Sequence, residues 1–406
     1  MAVVLHTDSC VAGAESAIHG PSGTRRRTVL RWGVAAVPVF SALSPLASLA
    51  QTQPRTDTRG DILIGRSTAL SGGMAPFLQP IHEGQDAAVE DANAKGGISG
   101  RNIRLVTLDD GFDPRRTLEN ARQLAEKEGV LALFGVSGTS QVIGLLPYLM
   151  QAKLPLISVY TGSPAVRAQQ HPYLFTTRAS YADELVKIVR NLVAVQTSRI
   201  AVAYENNDFG KLLLPLVEKT IAAEGGTLAG SHALDPKGAD AAEAAKALAA
   251  QKPQAVLLVA AGPPVVTYVR ANRTHLGVPV YALSLAAGSA VLKALGEDAR
   301  GLAVARTGPS PSRPTIALTR DFQASMKRHD KPVDYDRYTG YMDGRVLVEG
   351  LRAAGPGVTR ASLVAAMQGL GNLDLGGYSY QFSAQNHHGS NFVDIVVVGS
   401  GGVYRQ

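Results

Sequence analysis

The sequence predicts an α/β protein built from two doubly wound halves of similar plan. Three observations carry that expectation. Short apolar runs alternate with helical stretches at close spacing from residue 61 onward, the pattern of strands joined by crossover helices. Two Pro/Gly-rich breaks, near 164–172 and 306–314, interrupt the series where the chain would pass between halves. The stretch Leu131–Gly162 shows the repeating unit in full, with two apolar runs, Leu131–Val136 and Leu154–Val159, flanking one helix.

Taken in order, Asp61–Gly65 reads as a strand, Arg66–Pro80 as a long loop, and Pro80 or Ile81 opens a helix to Lys95. Asn102–Leu108 is a second strand. Asp113-Pro114 pairs an N-cap residue with Pro at the first helical position and starts a helix to Glu128. Beyond the first break, helix 181–195, strand Arg199–Tyr204 and helix 209–224 begin a second series. Strand Thr227–Ala233, helix 239–250, strand Ala255–Val259, helix 263–275, strand Val280–Leu283 and strand Gly301–Ala305 continue it. Helices are expected at 315–328, 336–354 and 360–368, and two late strands, Tyr378–Phe382 and Val393–Val398, read as a hairpin around Asn386–Gly389.

The chain has 406 residues, 45% of them hydrophobic and 18% charged, an ordinary globular composition able to bury a core. The formal net charge of +7 is spread rather than clustered with aromatics, which argues against nucleic acid as a partner. Residues 1–50 read as an export address. Arg25-Arg26-Arg27-Thr-Val-Leu-Arg31 resembles a twin-arginine signal, a mildly apolar run follows, and Ala47-Ser48-Leu49-Ala50 suits cleavage before Gln51. Residues 51–60 form a polar linker. Cleavage removes Cys10 and Trp32, the only Cys and the only Trp, so stability outside the cytoplasm would rest on packing rather than disulfides.

Enzyme signatures fail on inspection. Gly60–Ser67 approximates a phosphate loop, but its middle is an apolar strand. Gly135-Val-Ser137-Gly lacks the second glycine of a nucleophile elbow. Asp109, Asp110 and Asp113 read as a strand end and a helix cap. His387-His388 reads as a solvated turn, and no cluster has metal-ligand spacing. No enzyme activity, cofactor or metal is expected.

In a parallel sheet, ligands bind outside the carboxyl ends of the strands. Ser137, Thr139, Ser140, Tyr160 and Thr161 fall at two such ends, and the start of the helix near Thr139 favours an anion such as a carboxylate.

The run Ala92-Asn93-Ala94-Lys95-Gly96-Gly97-Ile98, followed by Asp109-Asp110 and Asp113-Pro114, resembles the solute-binding proteins of ABC importers. More narrowly it is similar to the branched-chain (Leu/Ile/Val) amino-acid-binding family. Leu70-Ser71-Gly72, Tyr204–Gly210 and Gly296–Gly301 fit the same family. That resemblance implies the type I periplasmic-binding fold, two lobes with three crossovers, and hinge closure on a small ligand. It implies residues 61–178 and 309–368 in lobe 1, and 179–308 and 369–406 in lobe 2. It places Phe77, Thr139, Tyr160, Gly162 and Phe209 at the ligand, where the strand-end reading adds Ser137, Ser140 and Thr161, and Ser284 stands at a further contact position. Its partners would be a small-molecule ligand and an ABC permease, with the protein periplasmic and monomeric. The family members resembled hold a ligand ammonium with a carboxylate after the strand at 280–283, where this chain has Ser284. An amino acid therefore needs Asp208 or Glu205 for its charge, and an apolar or aromatic acid or a small amide remains open. A ligand-sensing domain of the same fold, signalling through a receptor or kinase, is the alternative.

Overall fold

The computed structural model describes residues 60–402, apart from 169, together with 404–405. The expected export segment and nearly all of the linker lie outside the described residues. The first half alternates β1 (Ile62–Thr68), α1 (Ala75–Ala94), β2 (Ile103–Asp109), α2 (Pro114–Glu126), β3 (Ala132–Ser137), α3 (Thr139–Ala152), β4 (Leu156–Tyr160), α4 (Pro164–Arg167) and β5 (Leu174–Phe175). The second half runs α5 (Tyr181–Ala194), β6 (Arg199–Glu205), α6 (Asp208–Ala223), β7 (Thr227–Leu234), α7 (Ala241–Ala249), β8 (Ala255–Val259), α8 (Pro263–His275), β9 (Val280–Ala282), α9 (Ser289–Leu295) and β10 (Ala303–Arg306). The chain then forms α10 (Ala317–Arg328), α11 (Tyr335–Ala354), α12 (Arg360–Gly369), β11 (Gly371–Asp374), β12 (Ser379–Phe382), β13 (Asp394–Val398) and β14 (Tyr404–Arg405).

The two main sheets follow one plan. The first has the order β2-β1-β3-β4-β5, and the second ends in β10-β9-β8-β6-β7. Read from the first strand of each series, both are 2-1-3-4-5. Each therefore has a switch point between its first and third strands, β1/β3 in one and β6/β8 in the other. Strands such as Ala255–Val259 are wholly buried, which is why they read as unbroken apolar runs. Each sheet has a core on both faces, one of which is built by α1, α10, α11 and α12 against the first sheet.

Four sequence expectations are corrected. Helix α1 begins at Ala75, with Pro76 in its first turn and Pro80 inside it, so the apparent loop is mostly helix. Proline suits the first turn, and Pro80 forfeits only one helical bond. The late strands are no hairpin, because β12 pairs antiparallel with β11 while β13 pairs antiparallel with β10. Residues 369–406 do not all serve the second half, since Tyr378, Tyr380 and Phe382 pack into the core of the first. Nor is His387-His388 a solvated turn. The His387 ring stacks on Phe175 with centroids 4.1 Å apart, and His388 Nδ1 lies 3.0 Å from Thr176 Oγ1. Burial lowers the pKa of both imidazoles, so they pin the turn to β5 as neutral rings.

Candidate ligand-binding site

Switch points are where the loops leaving neighbouring strands part to opposite faces and leave a crevice. Here both crevices open onto one cavity of about 310 Å³. The segment after β1 contributes Met74 and Phe77, and that after β3 contributes Ser137 to Gln141. The segment after β6 contributes Glu205 and Asn207 to Phe209, and that after β8 contributes Ala261 and Gly262. The volume lies at the small end of the range for small-molecule pockets, roughly 300–1,000 Å³.

The anion cup is built by one glycine. Gly138 sits at the N-cap of α3 with φ +99, a left-handed conformation that costs a side chain strain. The chain can therefore leave β3 and enter α3 within one residue. Thr139 is thus the first helical residue rather than the cap. Its hydroxyl is hydrogen-bonded to that of Thr161 at 2.9 Å. Ser137 Oγ is buried and has no hydrogen-bond partner among the described residues, at a residue that lines the cavity. The first backbone N–H groups of α3 have no partner within the helix.

Phe77, Ser137, Thr139, Ser140, Tyr160 and Phe209 line the cavity, whereas Thr161, Gly162 and Ser284 stand behind the wall. Thr161 orients Thr139. Gly162 accepts the Tyr181 backbone N–H at 2.7 Å, and a Cβ there would lie 2.8 Å from Tyr181 Cδ1. Its role is to let Tyr181 reach the wall, where that ring meets Phe209 edge-on at 5.6 Å. Ser284 belongs to a buried charge cluster. Its hydroxyl donates to Glu184 Oε1 at 2.8 Å and accepts from Arg178 Nη2 at 2.6 Å. Arg178 in turn lies over the Tyr160 ring at 4.4 Å. Burial pushes the Glu184 carboxyl up, against the pull of Arg178 and of the Ser284 bonds.

Sequence reasoning missed Phe112, Tyr181 and Asp336, which also line the cavity. Phe112 holds φ +65, a conformation uncommon for a bulky residue and often kept at functional sites. Asp110 stabilises it by accepting the Phe112 N–H at 2.9 Å. Asp109 instead fastens the loop after β1, accepting from Leu70 N and from Ser71 N and Oγ, bonds that hold its carboxyl below the usual range. Asp113 caps α2 through Arg115 N at 2.8 Å. These three acids are structural, as their positions suggest.

The wall also carries acids. Glu205, Asp208 and Asp336 line it, and no Lys, Arg or His does so among the described residues. Glu205 accepts from Asn207 Nδ2 at 2.8 Å and from Ala261 N at 3.2 Å. Burial pushes its carboxyl up to about 7, with the Ala261 bond acting the other way. Ser140 Oγ lies 3.5 Å from Asp208 Oδ2 across the cleft. No group of acids, His and Cys suited to a metal occurs among the described residues, and no described helix is long and apolar enough to cross a membrane.

Comparison with known proteins agrees with this architecture. The chain matches the periplasmic binding protein family over residues 61–402. A Leu/Ile/Val-binding protein homologue of Brucella melitensis is 29% identical over 178 residues, 42% of this chain and 44% of that protein. The chain thus spans less than half the length of that curated relative. A substrate-binding periplasmic protein of Ralstonia solanacearum superimposes with a TM-score of 0.79 at 29% identity, covering 85% of this chain and 99% of the other. A possible leucine/isoleucine/valine-binding protein of Rhodopirellula baltica gives 0.79 at 26% identity, with 86% and 96% covered. With its paired switch points opening on a single cavity, this chain belongs to the periplasmic binding protein family, as a two-lobed type I member of the branched-chain amino-acid group and a binding protein rather than an enzyme.

Proposed function

We propose that the protein is an extracytoplasmic solute-binding subunit of an ABC importer that closes around a small carboxylate-bearing ligand and delivers it to the permease. The observation that carries this reading is the Ser137 hydroxyl, buried without a hydrogen-bond partner among the described residues at a residue that lines the cavity. A buried hydroxyl without a partner costs free energy, and a ligand oxygen beside it would supply that partner. The N-terminus of α3 and Thr139 line the same cavity. Aromatic walls from both halves suit an apolar body.

The acids in the lining support a donor group on the ligand. With Glu205 and Asp208 present, an amino acid stands beside apolar and aromatic acids in spite of Ser284. A thermal-shift screen of amino acids, aromatic acids, dicarboxylates and amides tests the reading. A true ligand at a hundred times its Kd adds about 2.7 kcal/mol of stability. The Ser137→Ala variant sharpens it. Without ligand it should be as stable as wild type or slightly more so, whereas its affinity for the screened ligand should fall. A carboxylate ligand whose Kd ignores Ser137→Ala would refute the anion cup.

A further inference from the structure

We infer that Asp336 is a closure latch, a positioning residue that sets ligand affinity by fastening one half of the molecule to the other. The inference rests on the proposal that the ligand is captured by closure. Asp336 is carried by α11, whose Tyr338, Tyr341 and Met342 are core residues of the first half. Its carboxylate reaches Ser289 at the start of α9, whose Val291 and Leu295 belong to the core of the second half. Asp336 Oδ2 accepts from Ser289 N at 2.6 Å and from Ser289 Oγ at 3.1 Å.

The partner surface is shaped for this carboxylate. A Cβ on Gly288 would lie 2.7 Å from Asp336 Oδ2 and 3.2 Å from Oδ1, so only glycine leaves room for it. Asp336 is 4% exposed. A carboxylate that deeply buried needs its donors, and the Ser289 N–H and hydroxyl both come from the opposite half. Separation of the halves breaks both bonds at once and returns the carboxylate to water. The contact therefore belongs to the closed arrangement. Asp336 also lines the cavity, so the latch shuts beside the ligand and affinity is coupled to it. Ser140 and Asp208 also face each other across the cleft, giving a second point where closure can be read.

That second point supplies the assay. The sequence has one cysteine, Cys10. In a full-length Cys10→Ser background, Ser140→Cys with Asp208→Cys forms a disulfide only when the cleft is shut. The rate of cross-linking under a mild oxidant, with no ligand added, measures how often that occurs. Adding Asp336→Asn should slow trapping at least fivefold. Ser289→Ala, which keeps the backbone donor, should slow it by an intermediate amount. Melting temperature and circular dichroism establish that each variant is folded. Equal or faster trapping in folded Asp336→Asn and Ser289→Ala proteins would overturn the latch while leaving closure intact. A parent pair that never cross-links would overturn the closed cleft itself, and the latch with it.

Discussion

The hydroxyl of Thr161 holds the hydroxyl of Thr139 at 2.9 Å, so a residue behind the cavity wall sets the direction of one in it. The two act in series, with Thr139 as the contact and Thr161 as its guide. Thr139→Val keeps the shape and removes the donor. Its Kd for a carboxylate ligand should rise about tenfold, or about 1.4 kcal/mol. Thr161→Val leaves Thr139 in place but unguided and should weaken binding less, by about threefold. Calorimetry on both variants checks the order, and a larger loss at Thr161 would reverse the assignment.

Gly162→Ala probes packing rather than contact. The added methyl would press on the Tyr181 ring and on its backbone N, 2.9 Å away. Overpacking of this kind costs about 1–3 kcal/mol, read as a lower melting temperature. Because Tyr181 supports Phe209, affinity should fall together with stability. A variant that lost affinity at unchanged stability would make Gly162 a direct contact instead.

Glu205 predicts a pH dependence. Its folded-state pKa is raised from 4.5 to about 7, so the folded state holds a proton that the unfolded chain has already released. That contribution is fully present below about pH 4.5 and is lost as pH rises through 7. The full effect is up to about 3 kcal/mol. Unfolding free energies should therefore decline between pH 5 and 8, and the decline should flatten in Glu205→Gln. An identical slope in the variant would show that Glu205 ionises freely.

The strands were legible because burial on both faces turns them into unbroken apolar runs, as in Ala132–Ser137 and Ala255–Val259. The start of α1 was not, because Pro76 and Pro80 read as breakers although both lie within the helix. Strand β11, Gly371–Asp374, is short and mostly exposed, so it carries no apolar signature. In the site, the places of Ser137 and Thr139 on the cavity wall were readable because ligands of parallel sheets bind at the carboxyl ends of the strands. Asp336 and Phe112 were not. Asp336 reaches the cavity through packing between distant segments, and Phe112 through a backbone conformation that its residue type does not announce.

The core of the first half takes Phe322, Met326, Tyr380 and Phe382 from the far end of the chain, and β10 of the second sheet is flanked by β13. On the ribosome, neither half can complete the cores on both faces of its sheet until almost all of the polypeptide has emerged. Domains that fold as independent units escape this delay. Here one long interval of exposed apolar surface serves both halves, so a truncation near residue 370 would strip strands from two cores at once.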